Sequence, residues 1–141
     1  MVDFVSPAKR ANIMRGSRSN NTKPELRVRR LLHSLGYRYR LHVPGLPGRP
    51  DIAFLARQKA IFVHGCFWHQ HDSSTCSIVR RPSSNTGFWN EKFKRNKSRD
   101  DLNRLEFEKM GWEVLTIWEC EAGQAGLGQR LADFLGSNRV T

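Results

Sequence analysis

The chain has 141 residues, of which 38% are hydrophobic and 26% charged, and a formal net charge of +11. That length is one domain's worth, the composition argues against wholesale disorder, and no apolar run approaches the roughly 18 to 20 residues that a membrane span needs. The charge, with a pI of about 10.4, points to a polyanionic partner, and a ribosomal-type or chromatin-like binder fits it as well as an enzyme does. Three cysteines, an odd number, disfavour a disulfide framework and suit a reducing compartment. The N-terminal MVDFVSPAKRANIMRG has no continuous apolar core of the kind a secretory signal carries. The expectation is a soluble cytoplasmic protein.

Residues 1–21 are polar and basic without an apolar period, and read as a flexible arm in which Met14 is an isolated large apolar side chain. The remainder, 22–141, reads as a single domain. Thr22-Lys23-Pro24-Glu25 is a capping-box pattern, and Val28, Leu31, Leu32 and Leu35 follow at helical spacing, with Gly36 placed to end the helix. Tyr37–Val43 alternates apolar with polar as a half-buried strand does. PGLPGRP at 44–50 excludes regular structure. Asp51–Leu55 and Ala60–Val63 are apolar enough for two buried strands joined by a turn at Arg57-Gln58. Residues 65–86 form a long excursion with two cysteines and two histidines, and a loop of that length is functional or needs its own clamp. A basic helix spans about 86–110 and stops at Gly111, a strand runs over 112–118, and Leu127, Leu131 and Leu135 mark a short helix before Gly136. The order is that of an α/β domain on a small mixed sheet.

Two groups of residues carry chemistry. The spacing Cys66-x4-His71-x4-Cys76, with Cys120 just beyond a strand end, suits a closed tetrahedral zinc site that pins the long loop; unconnected polar loop residues are the plainer alternative. A set of ligands with no open position would be structural, leaving His64 and His69 for chemistry. Separately, Pro50-Asp51 opens a buried strand followed by a second one. This is the layout of the restriction-endonuclease-like core, in which a Pro-Asp carboxylate holds Mg²⁺. The usual second acid and Lys are missing, since the second strand carries Phe62-Val63-His64. For the pair alone, an Asp capping a turn is the commoner explanation.

The run GRPDIAF…IFVHGCFWHQH, followed by FWNEKFKRNKSRD and GWEVLTIWEC, resembles the bacterial very short patch repair endonucleases over about residues 10–121. The resemblance implies a restriction-endonuclease-like fold, double-stranded DNA as substrate, and nicking 5′ to the T of T:G mismatches that arise from 5-methylcytosine deamination. It implies Asp51 and the backbone carbonyl of Val63 as Mg²⁺ ligands, His69 as general base, His64 as a second acid–base or charge-stabilising group, and Glu25 as a supporting carboxylate. Glu25 is equally well read as the capping partner of Thr22. The zinc ligands carry over as Cys66, His71, Cys76 and Cys120, although the segment before Cys76 is long and leaves His69 or Asp72 as substitutes. Phe67, Trp68 and Met14 match aromatics and a methionine that wedge into the base stack beside the mismatch. Such wedging is least costly where pairing is already poor. Lys92 and Asn96, four apart on one helix face, match residues that touch the T:G pair, while Lys94, Arg95, Lys97 and Arg99 are placed to meet phosphates. His33 and His42 match no family role and read as a helix-surface residue and a polar strand position.

The resemblance further implies a bacterial, nucleoid-associated enzyme, contact with mismatch-repair proteins and a functional link to a cytosine-5 methyltransferase. No apolar stripe is left for a partner copy, so a monomer is expected. Two alternatives remain: another nuclease of the same fold, and a zinc-stabilised DNA-binding module without catalysis.

Overall fold

The computed structural model describes residues 22–66, 71, 76 and 84–136. Helix α1, Lys23–Ser34, starts where the sequence pattern places it: the Thr22 hydroxyl accepts from the Glu25 N–H at 3.4 Å, and Pro24 lies in the first turn. Val28 and Leu32 are the buried ridge of this helix. Gly36, at φ 87°, ends it in the left-handed conformation, and the Tyr37 N–H returns to the Leu32 carbonyl at 3.1 Å.

Strand β1 is short, Arg40–Leu41, rather than the full alternating run of 37–43. The physical reason lies at both ends. Tyr37 is buried and its hydroxyl donates to the Gly136 carbonyl, which holds it away from the sheet. His42 adopts φ 50°, which breaks the extended backbone. Strand β2, Ile52–Phe54, is buried throughout, and β3, Lys59–His64, is one residue longer at each end than its apolar run. The 44–50 loop joins β1 to β2 and lies against the long helix. Gly48, at φ +68°, comes so close that a Cβ there would sit 2.3 Å from Asn103 Nδ2.

Helix α2, Thr86–Lys109, has 24 residues. It spans about 36 Å at 1.5 Å per residue, against about 20 Å for a six-residue strand. The helix therefore overhangs the sheet, and only Phe93 and Phe107 of it are buried. It ends as α1 does, with Gly111 at φ 79° and the Trp112 N–H on the Phe107 carbonyl at 3.0 Å. Strand β4, Glu113–Trp118, is followed by a single 3₁₀ turn at Glu119–Glu121 and by α3, Leu127–Leu135.

The strand order is β1-β2-β3-β4, with β1/β2 and β2/β3 antiparallel and β3/β4 parallel. A parallel neighbour needs a crossover, and α2 is that crossover. The core groups Val28 and Leu32 of α1, Ile52, Phe54, Ile61 and Ile117 of the sheet, and Leu127, Leu131 and Leu135 of α3. On the other side of β3, Phe62 meets Phe107 of α2 edge-to-face at 6.1 Å. Three cationic or hydroxyl side chains hold the carbonyls at the end of α3. Arg57 donates to Leu135 at 2.8 Å, Lys59 to Phe134, and Tyr37 to Gly136. Cations there complement the helix dipole. Among the described residues no helix is long and apolar enough to cross a membrane.

Candidate active site and thiolate cluster

Parallel pairing decides where the functional residues meet. In the β3/β4 register, His64 is opposite Trp118. Cys66 and Cys120 each follow two residues later, so both thiols leave the same end of the sheet. His71 returns to this point, its N–H on the Cys66 carbonyl at 2.9 Å. Its Nδ1 lies 3.7 Å from Cys66 Sγ and 3.3 Å from Cys120 Sγ. Cys76 joins them, and the four ligand atoms all lie within 4.8 Å of one another. Burial, then crowding by the neighbouring thiols, pushes the Cys66 thiol up to about 12, and Cys120 is raised for the same first reason. Glu119 steadies the turn by accepting the Cys66 N–H at 3.2 Å.

A second cluster forms where β2 begins. Asp51 Oδ2 accepts the Val63 N–H at 2.7 Å, which ties the carboxyl to the neighbouring strand. The backbone N–H of Glu25 completes the Thr22 cap, and its side chain has partners of its own. Its Oε2 lies 3.2 Å from Arg29 Nη1 and 3.1 Å from His42 Nε2, and the carboxyl is 1% exposed. Ligand atoms of Glu25, His42 and Asp51 lie within 4.8 Å of one another. Burial, and after it the charge and hydrogen bond of Glu25, push Asp51 up to about 7 against the opposing pull of the Val63 N–H. Two carboxyls share one desolvated site, which disfavours the doubly ionised state.

His64 is the next residue along β3 but turns to the other side of the strand, towards α2. Its Nδ1 is 4.0 Å from Asp100 Oδ2, and its ring meets the edge of Trp118 at 5.2 Å. The His71 ring stacks on the same Trp118 at 4.1 Å, tilted by 8°. Phe62, His64, Lys97, Asp100 and Trp118 belong to the lining of an open cleft of about 600 Å³. The structure thus brings Glu25 and Asp51 together, with His64 on an adjoining surface rather than within their cluster.

Residues 2–75 match the family model for DNA mismatch endonuclease Vsr. The chain is 45% identical to the type II nicking enzyme V.XorIIP of Xanthomonas oryzae pv. oryzae over 136 residues, covering 96% of this chain and 98% of that protein. The chain belongs to the Vsr family. Among further relatives, the DNA mismatch endonuclease Vsr of Escherichia coli is 39% identical over 122 residues, 85% of this chain and 75% of its own length. The type II nicking enzyme V.NmeAIP of Neisseria meningitidis is 41% identical over 121 residues, 86% of this chain and 84% of its own length.

Vsr-family membership makes the chain an endodeoxyribonuclease, a hydrolase of DNA, and the basic overhang of α2 is in keeping with such a substrate. On that helix Lys92 Nζ lies 5.8 Å from the centre of the Trp89 ring, and Trp89 stacks on the buried Phe93 at 5.7 Å. Lys92 and Asn96 are half-buried, whereas Lys94, Lys97 and Arg99 are exposed. His69, Phe67, Trp68, Asp72 and Met14 lie outside the described residues, as does the 1–21 arm. His33 is exposed in the last turn of α1.

Two side chains that meet the candidate residues do not stand out in the sequence. Asp100 continues the Lys92–Asn96 spacing by four more residues, and extending that face along the helix is the signal that finds it. Alternation alone makes His42 a polar strand position. It lies one residue beyond β1, with its ring 14% exposed and directed at Glu25. Its signal is the hairpin itself: residues that close a β1/β2 loop face one another, and its partner across that loop is Asp51.

Proposed function

We propose that this chain is a Mg²⁺-dependent endonuclease that nicks one strand of duplex DNA 5′ to the T of a T:G mismatch, on a restriction-endonuclease-like core. The observation that carries the reading is the Glu25–Asp51 carboxyl pair, Glu25 buried and Asp51 half-buried and braced by Val63, in a family that includes the Escherichia coli mismatch endonuclease. Hard carboxylate oxygens are the donors Mg²⁺ prefers, and two of them crowded in a desolvated site fit a divalent cation. In a strand, the N–H and C=O of one residue leave the backbone on the same side. The Val63 carbonyl therefore faces the way its Asp51-bound N–H does, which supports it as a further oxygen donor. When bound, Mg²⁺ supplies positive charge against the phosphate oxygens of an in-line displacement.

The chain's own residues do the rest in this reading. Asp51 and Glu25 hold the cation's position. His69 takes a proton from the attacking water, a task suited to a group that titrates near neutrality. His64, set against Asp100, carries a proton or positive charge beside the scissile phosphate. Phe67, Trp68 and Met14 enter the base stack, and Lys92 and Asn96 read the mismatched pair.

Zinc fits the thiolate cluster on geometry. A tetrahedral ion with Zn–S near 2.3 Å and Zn–N near 2.0 Å separates sulfur from nitrogen by about 3.6 Å. The two Sγ–Nδ1 distances of 3.7 and 3.3 Å straddle that value. Cys66, His71, Cys76 and Cys120 would hold it, closing the site to substrate and pinning the 65–86 excursion to the end of β4. The same reading makes deaminated 5-methylcytosine, left by a cytosine-5 methyltransferase, the source of the substrate, and mismatch-repair proteins the successors in repair.

The test is a Mg²⁺-dependent nicking assay on labelled duplexes carrying T:G or C:G at one position within randomised flanks. A single nick 5′ to the mismatched T is expected. Cleavage of both strands regardless of the mismatch would replace this reading with a restriction-type enzyme. Tight binding without cleavage would leave a DNA-binding module.

A further inference from the structure

His42 stands across the sheet from Asp51. The β1/β2 register pairs Leu41 with Ile52, and one step further the His42 N–H donates to the Asp51 carbonyl at 3.2 Å. The backbone of His42 is left-handed, at φ 50°. A non-glycine residue holds that conformation at a local energetic cost, which persists only where its surroundings over-determine it. Here the determining contact is Nε2 on Glu25 Oε2 at 3.1 Å. An ionised carboxylate only accepts, so Nε2 carries the hydrogen. Arg29 Nη1 meets the same oxygen at 3.2 Å. Two donors on one oxygen fix the rotation of the carboxyl group about its last bond, and so fix where Oε1 points. Arg29 reaches Glu25 from one turn further along α1, whereas His42 reaches it from the strand that also carries the backbone of Asp51. Unlike Arg29, the histidine ties the Glu25 carboxyl to the hairpin that carries Asp51.

We propose that His42 is a positioning residue, whose Nε2–H holds the Glu25 carboxylate so that it and Asp51 converge on one divalent cation. The inference rests on the reading of this cluster as the metal centre.

The test uses the full chain without DNA, titrated with Mn²⁺ and followed by the electron paramagnetic resonance of the free ion, alongside nicking rates against Mg²⁺ concentration. His42→Gln places an amide nitrogen at about the reach of Nε2. His42→Asn is one methylene shorter and cannot reach Glu25, and Asn tolerates the left-handed backbone, so this variant folds. His42→Asn is expected to weaken Mn²⁺ binding by about 10- to 100-fold, as removal of an orienting partner of a ligand does, with His42→Gln within about threefold of the wild type. The half-saturating Mg²⁺ for nicking should move with the Mn²⁺ affinity, while KM for DNA stays unchanged. In a Glu25→Gln background, His42→Asn should cost less than about twofold more, since the two act as one unit. Wild-type Mn²⁺ affinity in His42→Asn would overturn the inference. So would a loss that persists undiminished in the Glu25→Gln background, which would make the imidazole a ligand in its own right. Mn²⁺ binding that Asp51→Ala leaves intact would overturn the metal-centre reading itself, and is seen before any His42 variant is made.

Discussion

Glu25→Gln separates two roles that the sequence alone leaves superimposed. As the third residue after Thr22, Glu25 fits a capping box, in which Gln serves as well as Glu. If capping were its whole task, the amide would change neither stability nor activity. The structure sets different terms. The carboxyl is 1% exposed, and its Oε2 meets Arg29 and His42 at 3.2 and 3.1 Å. Replacing the charge weakens two charge-assisted hydrogen bonds, each worth about 1.5 to 3 kcal/mol. Against this, it removes the like charge that helps push Asp51 up to about 7. The two effects have opposite sign, so the metal-free protein should lose less than the two hydrogen bonds alone are worth; about 1 kcal/mol corresponds to a few degrees of melting temperature in a domain of this length.

The response to metal should not be spared. Losing one of two converging carboxylates is expected to raise the half-saturating Mg²⁺ for nicking by at least about tenfold, or 1.4 kcal/mol. The assay is single-turnover nicking of a mismatched duplex across a Mg²⁺ series, run beside calorimetric melting. Unchanged Mg²⁺ dependence would refute the reasoning, and unchanged melting beside it would return Glu25 to the helix cap.

Chelating zinc, or Cys66→Ser, should lower the melting temperature markedly, because a structural metal contributes its binding energy to folding; identical melts in chelator and in zinc would remove the ion from the account. The raised Asp51 carboxyl sets a pH dependence. The folded, metal-free protein holds a proton there that the unfolded chain releases above about pH 4, so this contribution to stability is complete below that pH and is lost as pH rises through about 7, by at most about 4 kcal/mol. Mg²⁺ competes with that proton, so its effect on melting should grow between pH 5.5 and 7.5, and a pH-independent effect would place the ion elsewhere. Arg57→Ala, which removes the donor to Leu135 and the cation over the Tyr37 ring, should cost about 1 to 2 kcal/mol of stability and leave the Mg²⁺ dependence of nicking untouched.

The elements with strong local signals are legible in the sequence. Helix α1 and its ending at Gly36, the buried strands β2 and β3, the long basic helix and the leucine ridge of α3 all follow from spacing and from glycine placement. The pairing of Cys66, His71, Cys76 and Cys120 was legible as a possibility, because the sequence places the fourth ligand next to a strand end. What period-2 alternation could not reveal is that Tyr37 leaves the β1 run to cap α3, or that His42 turns its backbone over. Both depend on contacts with residues remote in sequence, Gly136 and Glu25. The face occupied by His64 was hidden for a related reason. Alternation says that Val63 and His64 point to opposite sides of β3, but which side carries α2 is set by the crossover, not by the strand.

That crossover also explains why one small sheet can serve two clusters. A parallel β3/β4 pair puts the C-terminal ends of both strands at one edge, so the turns after His64 and Trp118 leave side by side. Cys66 and Cys120 exploit this directly. Trp118 then stands between the cysteine–histidine cluster and His64, with His71 stacked on its face and His64 against its edge. On the antiparallel side of the same strand, Val63 binds Asp51 through its backbone. Three features in and just beyond β3 are therefore committed. The Val63 N–H goes to the carboxyl pair, the His64 ring to Asp100 and Trp118, and Cys66 to the thiolate cluster. A slip of one residue in this strand would exchange the faces of Val63 and His64 and break all three at once. The His71–Trp118 stack and the Cys66–Cys120 approach guard against that slip from the far side of β3, by holding its end in register with β4. The position of the Asp51 carboxyl, one residue before β2, is thus tied through β3 to the cysteine–histidine cluster.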